Sequence, residues 1–187
     1  MPLAAMVSRM NEQTHPASSD PAILVRDLRK DFGYLQALSG INFDLNRGEF
    51  LTIFGPNGAG KTTLIKILSG LTRPTSGAVR VAGFDALGAD VRLRREIGVI
   101  SHASCLYFDL TALENLLFYA KLYSLEFPEV KANQAINEVG LKLRRHDRVR
   151  TFSRGMQQRL SIARATLHDP SILFLDEPFT GLDLQAT

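Results

Sequence analysis

Gly55-Pro56-Asn57-Gly58-Ala59-Gly60-Lys61-Thr62-Thr63 decides how the rest of this chain is read. The stretch fits the pattern of a glycine, four free positions, then Gly-Lys-Ser/Thr, with Gly55, Gly60, Lys61 and Thr62 at the fixed places. Upstream, Phe50-Leu51-Thr52-Ile53-Phe54 is apolar and partly β-branched, which predicts a buried strand. Downstream, Leu64, Ile65, Ile67 and Leu68 recur at helical spacing and Gly70 predicts the stop. Glycines let a loop curl so that successive N–H groups face one anion, with no Cβ in the way. The helix behind it adds about half a positive charge at its first turn. Lys61 supplies a point charge suited to β- and γ-phosphates, and Thr62 a hydroxyl able to ligate Mg²⁺. Pro56, Asn57, Gly58, Ala59 and Thr63 complete the candidate loop. The competing reading, a glycine-rich turn with a chance Lys-Thr, is disfavoured by the flanking strand and helix.

The chain has 187 residues, a formal charge of +3 and 45% hydrophobic residues, which predicts one domain or two small lobes with a real core. A single cysteine, Cys105, excludes an internal disulfide framework and fits a reducing compartment. No apolar run reaches the length of a membrane span. Residues 1–20 are small and polar, with Pro2 and Pro16, and predict a disordered tail rather than a secretory leader. Arg92, Arg94 and Arg95 form one basic cluster, and Arg144, Arg145, Arg148 and Arg150 another. They read as solvated helical faces; nucleic acid is not expected, because interleaved aromatics are lacking.

Ile23 to Val25 predicts a first strand, and residues 41–45 alternate as a half-buried one. Residues 46–49 are a turn into the strand that feeds the loop. Pro74 to Gly77 is another turn, followed by a short strand over 78–82, and Ile97 to Ile100 is a further buried strand. From Thr111 to about Val139 the pattern is helical: Thr111 and Glu114 form a capping box, and Pro128 separates two helices. Ser153 opens a helix through Leu160, Ile162, Ala163 and Leu167, closed by His168-Asp169-Pro170. The helical lobe is expected over about 89–150, within a domain spanning 21–187.

Ile172 to Leu175 is an apolar strand ending in Asp176-Glu177. A carboxylate at such a strand end, with a phosphate loop upstream, can hold the Mg²⁺ that Thr62 also ligates. Glu177, one residue further, can accept a proton from, or orient, an attacking water. An acidic turn capping a buried strand is the bland alternative. Phe152-Ser153-Arg154-Gly155-Met156 makes a second anion site from a helix cap and a glycine. One nucleotide rarely needs two such sites, so this loop is expected to cap the γ-phosphate bound to another copy; an ordinary helix cap is the alternative.

The order Gly55–Thr63, Phe152–Arg159, Leu173–Asp183 closely resembles the ATP-binding subunit of ABC transporters, over about residues 22–187. That resemblance implies an α/β P-loop NTPase: a parallel core sheet carrying the loop, an antiparallel β part near the N-terminus and a helical lobe. It implies that Phe32, followed by Gly33, stacks on adenine, and that Ser153 and Gly155 complete a partner's site, while Arg154 and Met156 depart from the family's Leu-Ser-Gly-Gly-Gln. Thr180-Gly181-Leu182-Asp183 resembles the loop by which one subunit touches the other's site. His102 stands where the family places a Gln that senses Mg²⁺ and water; a solvent-facing His is the equal alternative. The stretches Ser101–Thr111, Glu114–Leu116 and Phe118–Tyr123 are similar to ATPase subunits of haem exporters used in cytochrome c maturation. There Cys105 to Phe108 would meet a cytoplasmic helix of the membrane partner. The family continues beyond Thr187 with a switch histidine, so the chain reads as a fragment that binds nucleotide poorly by itself.

The implied activity is ATP hydrolysis with Mg²⁺, in a homodimer, peripheral on the cytoplasmic face of the inner membrane and paired with an integral permease. Alternatives are an exporter of a drug, polysaccharide or lipid, a non-transport ABC ATPase, and a non-hydrolysing nucleotide switch. Of the non-transport types, the DNA-repair kind needs coiled-coil heptads and the translation kind a second cassette, and this sequence shows neither. Glu177 argues against the switch.

Overall fold

In a computed structural model of the chain, residues 7–10, 20–88, 90–101 and 104–176 are described. They fall into two compact units, Met1–Glu96 and Ile97–Thr187. The class is α/β, as the sequence predicts.

The first unit is built on a hairpin. Strand β2 (Ile23–Phe32) turns through Gly33-Tyr34 into β3 (Leu35–Leu45), with Phe32 opposite Leu35. On its other side β2 pairs with β5 (Ser76–Val81), which pairs with β6 (Phe84–Asp85), all antiparallel. Ile23 and Val25 face inward, and then the register slips: Asp27 takes φ 42° and Leu28, not Asp27, is the next buried residue. That bulge keeps a carboxylate out of the core while the strand continues. Helix α1 (Lys61–Leu68) lays Leu64, Ile67 and Leu68 against β3 and β5. A short helix, α2 (Val91–Glu96), buries Leu93.

Three expectations are corrected here. Residues Val7–Met10, inside the stretch expected to be disordered, form strand β1, antiparallel to β4 (Phe50–Ile53). Main-chain pairing makes few demands on side chains, so composition did not reveal it. The rest of 1–19 lies outside the described residues. Strand β4 itself is not buried: Phe50 is 77% and the adjoining Phe54 58% exposed. A short apolar run is compatible with a buried strand but does not prove one. Nor is the loop strand in a parallel pair among the described residues, since its partner is β1.

The parallel pair lies in the second unit. Strand β7 (Ile97–Ile100) runs beside β8 (Ile172–Leu175), Ile97 opposite Ile172 and Ile100 opposite Leu175. Between them come α3 (Ala112–Leu122), α4 (Pro128–Glu138) and α5 (Arg154–Thr166). Thr111 caps α3 with the expected box: its side chain accepts from the Glu114 N–H at 3.1 Å, and the Thr111 N–H donates to Glu114 at 2.7 Å. That bond holds the Glu114 carboxyl below its usual range. Pro128 sits at the start of α4, where its missing N–H costs nothing. Leu116, Ala120, Ala132, Ile136, Leu141, Val149 and Leu160 pack into one core. This cluster runs from Leu106 to Leu167 and takes in α5, whereas α2 belongs to the first unit. The helical part therefore begins later and ends later than the boundary of about 89–150. In α5, Ser161 is fully buried and Ile162 faces out, the reverse of what polarity suggests. Gly98 explains the close approach, because a Cβ there would lie 2.4 Å from the Ala165 carbonyl oxygen and 2.8 Å from Leu173 Cδ1.

His168, just beyond α5, stacks on Tyr123 with centroids 3.9 Å apart and 9° between planes. Its Nε2 lies 3.0 Å from the Ile97 carbonyl oxygen, which requires Nε2 to carry the proton. Nδ1 is buried with no partner, so a second proton would have no acceptor. Burial is the chief cause that lowers the His168 pKa from 6.5, and the Arg164 cation adds to it; the Ile97 bond and Asp169 act in the opposite sense. A histidine depressed in the folded state lends stability above its unfolded pKa and loses it as pH falls, because the unfolded chain takes up the proton first. Thermal unfolding followed from pH 8 to pH 5 is therefore expected to show a midpoint that drops below about 6.5. His168→Gln, which keeps a donor but cannot titrate, should flatten that drop; an unchanged profile would exclude His168 as its source.

Candidate functional site

Three residues of the expected loop are fixed by geometry visible in the first unit. Gly60 caps α1 with φ 94° and ψ 4°, a left-handed conformation. Its Cα faces the hairpin: an added Cβ would stand 2.5 Å from the Ala37 carbonyl oxygen and 2.9 Å from Leu38 Cδ2. Both the dihedral and the wall demand glycine. Gly58 also has positive φ, 81°, but nothing lies within 4 Å of a Cβ there. The Ala59 N–H donates to the Pro56 carbonyl at 3.2 Å, and the Leu64 N–H to Gly60 at 2.9 Å, so the loop closes on itself and runs directly into the helix.

The Lys61 ammonium donates to the carbonyls of Gly55 at 2.8 Å and Pro56 at 2.9 Å. Those bonds draw the cation back over the loop, and they are replaceable by phosphate oxygens. Thr62 is exposed in the first turn and Thr63 half-buried. No acidic side chain stands in that turn, so the helix dipole and Lys61 act on one sign of charge. The loop suits an anion and, through Thr62, a hard cation bound beside it.

Phe32 ends β2 at the same hairpin end that supplies Ala37 and Leu38. It is half exposed, with the Lys30 ammonium 4.7 Å from the ring centroid. Lys30 is itself held by the Arg73 carbonyl at 2.9 Å. Tyr34, at the turn, is fully exposed and was not singled out by the sequence.

In the second unit Ser153 caps α5. Its hydroxyl accepts from the Met156 N–H at 3.3 Å, and its carbonyl from the Gln157 N–H at 2.9 Å. Gly155 lies in the first turn, with Arg154 exposed beside it and no acid there. Asp176 follows β8, and its N–H donates to the Ile100 carbonyl at 2.8 Å, which ties the carboxylate's backbone to β7. The loop residues Gly55–Thr63 and Phe32 belong to the first unit, Ser153, Gly155 and Asp176 to the second. His102, Glu177 and Thr180–Asp183 lie outside the described residues. Among the described residues no three His, Cys, Asp or Glu side chains converge on one point.

The segment from Cys105 to Phe108 is held by a residue the sequence did not single out for a role. Asn115, fully buried on α3, accepts from the Tyr107 N–H at 2.8 Å and donates to the carbonyls of Tyr107 and Thr111, both at 2.9 Å. Every polar atom of its amide is used, which offsets its burial. Tyr119 donates to the Cys105 carbonyl at 2.5 Å. Tyr107, Phe108 and Phe118 are left 49%, 47% and 42% exposed, Tyr107 meeting Phe118 edge to face at 5.0 Å. Nearby arginines are partly neutralised: Arg144 pairs with Asp147, and Arg150 with Asp109 at 3.6 Å. A buried Asn amid Leu and Ala was the available signal for this strut. For Arg164 and His168, a cation and an imidazole on an otherwise apolar face gave a similar one.

The family model described as ABC transporter matches residues 38–180. The linearmycin resistance ATP-binding protein of Bacillus subtilis is 39% identical over 162 residues, 86% of this chain and 52% of that protein. The bacitracin transport ATP-binding protein of Bacillus licheniformis is 40% identical over 161 residues, covering 86% and 52%. The chain thus spans about half the length of the curated relatives it matches. Among solved structures, an ATP-binding subunit of an ABC transporter superposes with a TM-score of 0.78 at 33% identity, over 87% of this chain and 69% of that one. A dimeric ATP-binding cassette in a post-hydrolysis state, bound to ADP and Pi, gives 0.77 at 29% identity, over 87% and 76%.

The wall behind Gly60 separates two contributions to the loop's rigidity. Gly58→Ala is expected to cost about 1–2 kcal/mol in chemical denaturation, from its dihedral alone. Gly60→Ala should cost more, because backbone must also move away from the Ala37 carbonyl, adding about 1–3 kcal/mol. Equal losses would mean that the contact with Ala37 yields freely.

Proposed function

The chain belongs to the ABC transporter family, and on that premise we propose that it binds and hydrolyses ATP with Mg²⁺ in a dimer and so drives an exporter. The observation that carries this reading is Gly60: left-handed, walled by Ala37 and followed at once by a lysine whose ammonium is held over the loop. An anion is the ligand such a loop accommodates.

The donor set suits Mg²⁺. Thr62 and Asp176 would each offer one oxygen donor, as expected for an ion taken largely through phosphates and water. The ion supplies charge neutralisation at the phosphate oxygens. Lys61 and the loop N–H groups hold the β- and γ-phosphates, and Phe32 offers a ring face to the adenine. Glu177 orients the attacking water, with His102 as an additional hydrogen-bonding group. Ser153 and the Gly155 N–H of a second copy complete the site. Little covalent chemistry is asked of the protein; positioning and charge dominate. ATP then joins two copies, and hydrolysis releases them.

The exposed Tyr107, Phe108 and Phe118, braced by Asn115, fit a contact with a helix of a membrane permease. No helix of the described residues is long and apolar enough to cross a membrane; in the proposed assembly the permease supplies the span and this chain sits peripherally on the inner face. Relatives named for linearmycin resistance and bacitracin transport favour, among the cargoes considered, export of a drug. Haem, the narrower cargo implied by the sequence resemblance, gains nothing from these names.

The test uses the full-length protein with its membrane partner. Lys61→Ala should weaken ATP binding, and Glu177→Gln should leave binding intact while slowing phosphate release by about 100-fold or more. Undiminished binding by Lys61→Ala would overturn the assignment of the loop. Equal release by Glu177→Gln would remove that carboxylate from the chemistry.

A further inference from the structure

Carbonyls along a strand point alternately to its two edges. The Ile100 carbonyl accepts from Asp176 and so faces β8; those of Val99 and Ile97 therefore face the opposite edge of β7. Among the described residues no strand pairs with that edge. Two side chains from one face of α5 and the turn after it take its place. Arg164 donates from Nη2 to the Val99 carbonyl at 2.8 Å, and His168 from Nε2 to the Ile97 carbonyl at 3.0 Å.

The spacing is a geometric match. Four helical residues rise about 6 Å, and two strand residues rise about 6.6 Å. Each of the two side chains is also clamped from behind by a tyrosine of the α3 segment, at the same four-residue spacing. The Arg164 guanidinium lies 5.4 Å from the Tyr119 centroid, and His168 stacks on Tyr123. Gly98, between the two carbonyls, lets the α5 backbone approach so closely that little slack remains. Arg164 Nε and His168 Nδ1 are buried and unpaired, so both side chains forgo bonds in order to reach β7. Filling space would not require that sacrifice; an aliphatic side chain would serve better.

We propose that Arg164 and His168 are positioning residues for Asp176: acting as a surrogate strand on the outer edge of β7, they fix the inner edge from which the Asp176 backbone hangs. This rests on the reading of Asp176 as an Mg²⁺ ligand. The tie is made by protein atoms alone, so it can be probed without nucleotide or metal.

The test compares Arg164→Met, His168→Phe and His168→Gln in the full-length protein. The methionine keeps bulk and loses the bond, the phenylalanine keeps the stack and loses the donor, and the glutamine keeps a donor. The first readout is amide hydrogen exchange at Asp176 without nucleotide or metal. The second is the Mg²⁺ concentration that half-saturates the gain in affinity for a fluorescent ATP analogue. Arg164→Met and His168→Phe are expected to speed exchange at Asp176 by about tenfold or more, with His168→Gln near the parent. Both should raise the half-saturating Mg²⁺ by about fivefold, while affinity for the analogue without Mg²⁺ stays within about twofold. Folded Arg164→Met or His168→Phe protein with Asp176 exchange unchanged would overturn the proposal, and His168→Phe alone decides it if Arg164→Met does not fold. Faster exchange with an unaltered Mg²⁺ requirement would uphold the edge support and refute instead the reading of Asp176 as a metal ligand.

Discussion

The approach of Gly60 to the Ala37 carbonyl is the constraint on which the first unit's chemistry depends. It welds the phosphate loop to the β2–β3 hairpin at a distance that leaves no room for a methyl group. The hairpin is in turn stiffened by its inward Leu38 and Ile41 and by α1 packed against it. A loop whose N–H groups must converge on one anion has to be rigid before the anion arrives, since ordering it afterwards costs about 1–2 kcal/mol per residue. Here that rigidity comes from backbone meeting backbone. The same hairpin end carries Phe32, so loop and aromatic are fixed by one element rather than by two that must be aligned separately.

Much of this was legible in the sequence, for identifiable reasons. The loop, the capping box at Thr111, the Pro128 start of α4 and the Ser153 cap are local: each is specified by residues within a few positions of one another. What failed was non-local. The β1–β4 pairing joins segments some forty residues apart through main-chain groups that any sequence possesses. The exposure of Phe50 could not be read from its neighbours, because a strand's burial depends on what lies over it. The slip at Asp27 escaped for a related reason, since the alternation on either side of a bulge is correct but out of phase. In α5, polarity placed Ile162 inside and Ser161 outside. Ser161 tolerates the buried position because its hydroxyl is satisfied on the Ser104 carbonyl at 3.3 Å.

The second unit shows how polar groups do structural work inside an apolar cluster. Asn115, Tyr119, Ser161, Arg164 and His168 all end on main-chain carbonyls or N–H groups of residues 97–111. Its described part contains β7 and residues 104–111, which have little regular structure to satisfy their own backbone. Side chains from α3 and the α5 segment supply what a neighbouring strand would otherwise provide. The outcome is that the described part of this segment is held at several points. Burial of the Tyr119 hydroxyl raises its pKa, and so preserves the proton with which it reaches Cys105.

Charge at the helix starts separates structural helices from those suited to a ligand. Glu114 stands in the first turn of α3, Glu129 in that of α4, and Asp90 accepts the Arg92 N–H at the start of α2. In each case a carboxylate answers the positive end of the helix. The starts of α1 and α5 carry none; instead Lys61 and Arg154 add positive charge where it costs about 0.3–1 kcal/mol by opposing the dipole. A helix that forgoes an acid and adds a base at its N-terminus is destabilised unless an anion occupies it. Among the described residues, the two helices that do so begin at the two motifs read as phosphate sites, Gly55–Thr63 and Phe152–Met156. The departure of Arg154 from the family's glycine fits the same account. In the proposed site it would add a cation beside the phosphate oxygens.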